Sequence, residues 1–202
     1  TGTVYNFEVD EDHSYVASGI AVHNCDAFSR QVLAMSYHTL RGGQNFCEHV
    51  QVEDLSKGRI IDAVARDIGE SLYVDILVAT HRKHADLVAD IESGKMGTLS
   101  MGCSVAHTTC TKCGNVAVDE TEMCECVKYA KGNIFLDERG RRHRVAELCG
   151  HHSDGGTGGV TFIEASWVAN PAFTGAVMRN IITPESLSPL MASQMQQILS
   201  AP

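Results

Sequence analysis

The sequence predicts an α+β chain made mostly of antiparallel strands, and three patterns support this fold class. Two β-prone runs, Arg59–Ala65 and Ser71–Ala79, flank a predicted turn at residues 66–70, which is typical of a strand pair. Apolar residues repeat at helical spacing after His84, and Gly94 follows where a helix can end in a left-handed cap. A third β-prone run, Gly97–Val105, comes directly after that glycine.

Composition and charge limit the classes of function. The chain has 202 residues, of which 44% are apolar and 20% charged, as in a globular domain with a small appendage. A formal net charge of -9 argues against nucleic acid as a partner, because phosphate binding needs a basic face. No apolar run is long enough to span a membrane and no signal peptide is visible. We therefore expect neither nucleic acid nor a membrane as a partner.

The N-terminal segment, residues 1–24, is predicted to form two strands. Residues 4–9 and 14–17 are β-prone, and a Ser-Gly turn precedes a further short run. The segment ends in His23-Asn24 and is followed by Cys25. With the last two motifs of an intein present, it closely resembles the C-terminal end of that family. The N-terminal half of an intein is not in this sequence, so we expect either the C-terminal half of a split intein or a truncated intein, and in both cases a fragment that cannot splice alone.

The intein resemblance implies a role for four residues. Asn24 would attack its own carbonyl through its side-chain amide, and His23 would protonate the leaving amine. His13 would assist from the neighbouring strand. Cys25 would be the first residue after the intein and would accept the acyl group as a thiolate.

The region between this segment and the strand pair is less regular. Residues 26–40 are weakly patterned and fit either helix or strand. Gln44–Val52 alternates in character with His49 in its middle, which favours a strand. An imidazole is the usual group that takes a proton from a serine nucleophile. His49 is therefore a candidate general base, with competitors at His38, His81 and His84.

Two segments resemble a known family. The helix, the glycine stop and Leu-Ser-Met-Gly around Ser100 resemble the serine segment of tailed-phage prohead maturation proteases, which share their fold with the herpesvirus assemblins. Val160–Ala176 resembles the segment of the same family in which a Glu-x-Ser-x-Val strand ends in Pro-Ala. His49 also precedes the serine at a comparable spacing. These matches cover most of residues 40 to 180.

The resemblance implies an activity and a fold for residues 25–183. The protein would be a serine endopeptidase that cleaves scaffold and capsid proteins within the prohead, in the host cytoplasm. The enzyme would be oligomeric. The fold would be a small, mostly antiparallel β-barrel with flanking helices. Ser100 would be the nucleophile, His49 its base and Glu164 the acid that orients the imidazole, with Asp75 as the competing acid.

A cysteine-rich stretch predicts a structural zinc site. Four of the eight cysteines lie within residues 110–126, and without an export signal this spacing favours metal over disulfides. Cys110-x-x-Cys113-Gly is a zinc-knuckle turn, and Cys124-x-Cys126 supplies a tighter second pair. Cys149, His151 and His152 are substitutes for the fourth ligand. We expect zinc to hold an insertion over about 106–152, while the tail, 184–202, fits a marginal helix with no assigned chemistry.

Two further hypotheses compete with the prediction of a protease. The chain could be a fragment whose activity is limited to C-terminal intein cleavage or trans-splicing. It could also be a non-catalytic structural protein of the virion that is stabilised by zinc.

Overall fold

A computed structural model describes residues 14–17, 20–23, 27–69, 71–150, 159–171, 176–182, 188, 189 and 193. Within these residues the chain is mixed α+β with mostly strands, which confirms the predicted class. The closed assemblin-like barrel stays an expectation. Contacts divide the chain into two compact units. The first draws on Thr1–Ser36, Ile68–Leu72 and Gly102–Thr161, and the second on Tyr37–Asp67, Tyr73–Met101 and Phe162–Pro202.

Thirteen strands and three α-helices are present in the described residues. The strands are β1 Ser14–Ala17, β2 Ile20–His23, β3 Ala27–Phe28, β4 Gln44–Cys47, β5 Gly58–Ile68, β6 Ser71–Thr80, β7 Leu99–Val105, β8 Thr108–Cys110, β9 Val116–Ala117, β10 Ile134–Leu136, β11 Arg142–Arg144, β12 Glu147–Cys149 and β13 Val160–Trp167. The α-helices are α1 Arg30–Ser36, α2 Ala85–Glu92 and α3 Glu125–Ala130, and short 3-10 helices cover Tyr37–Leu40, Glu53–Leu55 and Glu120–Glu122.

The sheet of the second unit brings three separate parts of the chain side by side. Its strands follow the order β7-β13-β4-β5-β6. β4 pairs with β13 in parallel, so that Gln44 lies opposite Glu164 and Cys47 opposite Trp167. This parallel pair departs from the antiparallel pattern expected for most of the sheet. Because parallel strands end at the same edge, the residues that follow β4 and β13 are neighbours.

A buried polar network holds β4 against β13 and β6. The side-chain amide of Asn45, which is fully buried, donates to the carbonyl oxygen of Ala165 at 2.7 Å. The Thr80 hydroxyl donates to the other side of that amide at 3.3 Å and accepts from the Trp167 indole at 3.1 Å. Buried polar groups that are all partnered fix one arrangement of the strands. The apolar residues buried in this unit include Phe46, Ile60, Ile61, Ile91, Phe162 and Val168.

Several boundaries in this unit differ from the sequence-based expectations. β4 ends at Cys47, so His49 lies in a turn after the strand rather than in its middle. β5 continues to Ile68, three residues into the predicted turn. The predicted helix and the run after it are confirmed as α2 and β7, and Gly94 has the left-handed φ of +75° expected of a cap.

The first unit contains small sheets and a hairpin ribbon. β1 and β2 form an antiparallel hairpin, with Ser14 opposite His23, and β2 pairs antiparallel with the end of β7. β1 matches the β-prone run expected at 14–17, whereas the run expected at 4–9 lies outside the described residues. A four-stranded sheet has the order β3-β12-β8-β9. β10 and β11 form a separate antiparallel ribbon. Small apolar contacts among Cys110, Ala117, Met123 and Val127 form one core of this unit.

Candidate active site and candidate metal centre

A histidine, a glutamate and a serine form a hydrogen-bonded chain in the second unit. The Nδ1 atom of His49 lies 2.8 Å from Oε1 of Glu164, and the Ser166 hydroxyl donates to Oε2 of the same carboxylate at 2.6 Å. Glu164 and Ser166 are 1% and 0% exposed. Glu164 and Ser166 are two residues apart on β13, so their side chains share one face of the sheet. Two buried contacts of this kind hold the carboxylate in one orientation.

The contacts define the hydrogen-bonding roles around the imidazole. An ionised carboxylate only accepts hydrogen bonds, so in a pair with an ionised Glu164 the hydrogen lies on Nδ1 of His49. This leaves Nε2 as the ring nitrogen that can take a proton from a nucleophile, the arrangement found in serine hydrolases. The His49 side chain keeps 16% of its surface exposed. The ring is thus anchored on its buried side and accessible on the other.

The turn that carries His49 has an unusual backbone. Glu48 and His49 have positive φ values of 48° and 55°, and the Val50 amide donates to the Cys47 carbonyl oxygen across them at 3.1 Å. Positive φ at both central residues is the pattern of a type I′ turn, which normally contains glycine or asparagine. The Glu48 carboxylate accepts from the Ala169 amide at 2.9 Å. Strained residues of this kind concentrate at functional sites, where the surroundings enforce them.

Ser100 lies on β7, the strand next to β13 in the sheet. It is half-buried, and within the described part of the chain its hydroxyl makes no hydrogen bond. The start of β7 is fastened to the end of β13, since the Val168 amide donates to the Thr98 carbonyl oxygen at 3.2 Å and the Thr98 hydroxyl donates to the Val168 carbonyl oxygen. Ser100, Glu164 and His49 therefore come from adjacent strands or the turn after one. The structure shows a direct contact between His49 and Glu164.

The competing residues lie elsewhere. Asp75 pairs with Arg66 at 2.5 Å and is 42% exposed, so its carboxylate faces a surface cation instead of an imidazole. His38 and His81 are exposed. Nε2 of His84 lies 3.3 Å from the Ser56 carbonyl oxygen, and partial loss of water and the nearby Lys57 ammonium lower the pKa of His84. Glu164 is thus the acid that meets a candidate base.

Four cysteines of the first unit converge into a candidate metal centre. The Sγ atoms of Cys110, Cys113, Cys124 and Cys126 all lie within 4.8 Å of one another, and Cys113 Sγ and Cys124 Sγ are 3.4 Å apart. A regular tetrahedron with Zn–S bonds of about 2.3 Å has edges of roughly 3.8 Å. The observed separations fit a closed tetrathiolate site, and four thiolates are the donor set that zinc favours.

Local backbone geometry explains how the cysteines converge. Cys110 ends β8 and Cys113 lies in the turn before β9, where Gly114 adopts φ of +73° and donates to the Cys110 carbonyl oxygen at 3.0 Å. The Lys112 amide donates to Cys110 Sγ at 3.4 Å. Burial raises the pKa of the Cys110 thiol against this amide contact. Cys124 caps α3, which places Cys126 in the first turn of that helix.

The proposed substitutes for the fourth ligand are placed differently. Cys149 is fully buried and disulfide-bonded, so its sulfur is not available to the cluster. His151 and His152 lie outside the described residues. Cys126 therefore remains the candidate for the fourth ligand position, although its Cys-x-Cys spacing is tight.

Most of the intein residues lie outside the described part of the chain. These are His13, Asn24 and Cys25. The backbone of His23 is described, as the last residue of β2.

Sequence reasoning missed two features of the site. Ser166 was quoted only as part of a family segment, although the i, i+2 spacing of Glu164 and Ser166 on a strand places both on one face. The turn at Glu48 and His49 carries no sequence signal, because neither residue is typical of positive φ.

None of the helices in the described part of the chain has the length and apolar content of a membrane span. Comparison of the chain with protein-family models, with curated proteins and with solved structures found no match. The site geometry is therefore the basis for the assignment of function.

Proposed function

We propose that this chain is a serine endopeptidase of the prohead-maturation type, with Ser100 as nucleophile, His49 as general base and Glu164 as the orienting acid. The observation that carries the proposal is the 2.8 Å contact between His49 Nδ1 and a carboxylate that is 1% exposed. A buried carboxylate on one ring nitrogen is what a general base needs in order to stabilise the imidazolium formed during catalysis. The expected substrates are scaffold and capsid proteins of an immature phage head.

The position of Ser100 supports its role as nucleophile. β7 and β13 are neighbours in the sheet. The hydrogen bond from the Val168 amide to the Thr98 carbonyl oxygen joins the end of β13 to the start of β7. Two neighbouring strands joined in this way can pair along their lengths only if they run antiparallel. If the ladder continues from this pair without a bulge, Ser100 lies opposite Ser166. Directly opposed residues present their side chains on the same face. Ser100 would then share a face with Ser166 and Glu164.

In the proposed reaction His49 Nε2 takes the proton of the Ser100 hydroxyl as its oxygen attacks the scissile carbonyl carbon. Glu164 holds the resulting imidazolium without itself becoming protonated. The proton then passes to the leaving amine, and a water molecule, activated by the same imidazole, hydrolyses the acyl-enzyme. His49 must approach Ser100 in the substrate complex, since catalytic hydrogen bonds are often loose before substrate binds.

A fluorophosphonate probe and a cleavage assay test the proposal together. The probe should modify Ser100, and Ser100→Ala should abolish both labelling and cleavage of a scaffold substrate. Ser104→Ala is a matched control, because Ser104 lies on the same strand and is also half-buried. His49→Ala should cost a similar factor, and the double variant little more, since residues that act as one unit are not additive. Cleavage by Ser100→Ala at the wild-type rate would contradict the proposal.

A second function is favoured by the thiolate cluster. Zinc bound by Cys110, Cys113, Cys124 and Cys126 would be structural, because a closed four-thiolate shell leaves no position for substrate. Such a site is compatible with the protease and also with a non-catalytic virion protein. A further alternative is that residues 1–24 are an intein fragment that acts with an N-terminal half in trans. The β1–β2 hairpin is compatible with this alternative. Fluorophosphonate labelling of Ser100 separates the protease from both.

A further inference from the structure

The β10–β11 ribbon has two faces, and they differ in whether their side chains have hydrogen-bond, ion-pair or ring partners. Phe135 and His143 are cross-strand partners, and their rings pack with centroids 5.6 Å apart. Next to them Asp137 accepts from Nε of Arg141 at 2.7 Å and lies 3.1 Å from Nε2 of His143. One face of the ribbon therefore holds an aromatic pair and a neutralised cluster of charges.

The opposite face carries two apolar residues and two cations. Ile134 lies opposite Arg144, and Leu136 opposite Arg142; directly opposed residues and residues two apart on a strand share a face. Ile134 and Leu136 are 52% and 64% exposed, and both arginines are exposed. Within the described residues neither arginine side chain has an ion-pair partner. We call these four residues the ribbon face.

We propose that the ribbon face is a docking surface for an acidic, partly apolar segment of another polypeptide. Each arginine can bind a carboxylate through its planar fork of donors, and each apolar neighbour can cover an aliphatic side chain between those carboxylates. The ribbon has four arginines and two acidic residues on a chain of net charge -9, so it is a local basic site. An acidic segment would be drawn to this site in preference to the rest of the surface.

The composition of the face favours polypeptide over nucleic acid. Binding of nucleic acid relies on phosphate contacts along a basic groove and on aromatic side chains that stack with bases. The ribbon face offers aliphatic side chains next to its cations, whereas the phenyl ring of the ribbon, Phe135, lies on the opposite face against His143. The net negative charge of the chain would also repel a long polyanion. The proposal does not depend on the proposed protease activity.

Fluorescence anisotropy with the full chain tests the proposal. The probe is a short labelled peptide that alternates glutamate and leucine, and its affinity should weaken as salt is raised. Arg142→Glu combined with Arg144→Glu should weaken binding at least tenfold. The matched control is Arg41→Glu combined with Arg82→Glu, which makes the same change of charge at two exposed arginines outside the ribbon and should retain binding. Ile134→Ser combined with Leu136→Ser should also weaken binding, and unchanged thermal unfolding would confirm that these variants are folded.

Several outcomes would overturn the proposal. Equal affinity of the Arg142→Glu/Arg144→Glu variant and the control would show that the peptide binds elsewhere. Equal affinity for a peptide with glutamine in place of glutamate would show that carboxylates are not recognised. Tighter binding of a single-stranded DNA oligonucleotide, lost in the same variant, would assign the face to nucleic acid. Self-association of the chain in sedimentation, abolished by that variant, would assign it to a second copy.

Discussion

Replacement of Ser166 by alanine tests whether Glu164 is held as an ionised acceptor. The Ser166 hydroxyl is fully buried and donates to Oε2 of Glu164 at 2.6 Å. A hydrogen bond to a charged group contributes about 1.5–3 kcal/mol, and alanine removes it without adding atoms. We expect Ser166→Ala to lower the free energy of unfolding by about 2 kcal/mol. For a chain of this length that corresponds to a fall in Tm of roughly 4–8 °C.

Ser36→Ala is the matched control. Ser36 is also buried, and its hydroxyl donates at 2.6 Å to a neutral acceptor, the Val32 carbonyl oxygen. Because alanine is the better helix former and the lost bond is uncharged, the expected cost is below about 1 kcal/mol. Urea unfolding of both variants supplies the comparison, and the rate of scaffold cleavage supplies a second readout. We expect Ser166→Ala to slow cleavage on the order of tenfold, since a looser carboxylate orients His49 less well.

The result for Ser166 can refute the reasoning. If Ser166→Ala is no more destabilising than Ser36→Ala, the carboxylate does not depend on the hydroxyl. The interpretation of Glu164 as a fixed acceptor that orients His49 would then be wrong.

Three further predictions concern the metal, the turn and the ribbon. Elemental analysis of the purified chain should find about one zinc ion per chain. Cys113→Ser should lose this zinc, whereas Cys47→Ser, which lies outside the cluster, should keep it. Zinc retained by Cys113→Ser would contradict the site. Urea unfolding should show Glu48→Gly to be more stable than Glu48→Ala by about 1 kcal/mol, although glycine is usually the less stable of the two. Both variants lose the hydrogen bond to Ala169, but glycine alone relieves the strain of the positive φ. A more stable Glu48→Ala would argue against strain at this position. Hydrogen bonds from the Arg141 amide and side chain and from His143 hold the pKa of Asp137 well below its usual range, so the stability that this carboxylate contributes should be present above about pH 4 and be lost as the pH falls through the lowered pKa. NMR titration of its carboxyl carbon checks this, and an ordinary midpoint would contradict it.

The local elements were predictable because their signals lie within short stretches of sequence. The helical repeat before Gly94 fixes α2 and its left-handed cap, and the β-prone run around Ser100 fixes β7. The Cys-x-x-Cys-Gly stretch likewise predicts a turn, and Gly114 supplies the positive φ of +73° that this turn needs. In each case a few neighbouring residues supply both the pattern and its physical cause.

The candidate site required long-range information. His49 was expected within a strand, yet β4 ends at Cys47 and the next two residues take positive φ, a conformation that their side chains disfavour and that tertiary contacts impose. The family resemblance favoured Glu164 as the acid, but the residues themselves left Asp75 as a competitor. The choice depends on the parallel pairing of β4 with β13, 115 residues apart at the His49–Glu164 contact, which buries one carboxylate beside an imidazole and leaves the other at the surface beside Arg66. Strand pairing across such a separation depends on the packing of the whole sheet, so only the tertiary structure could decide it.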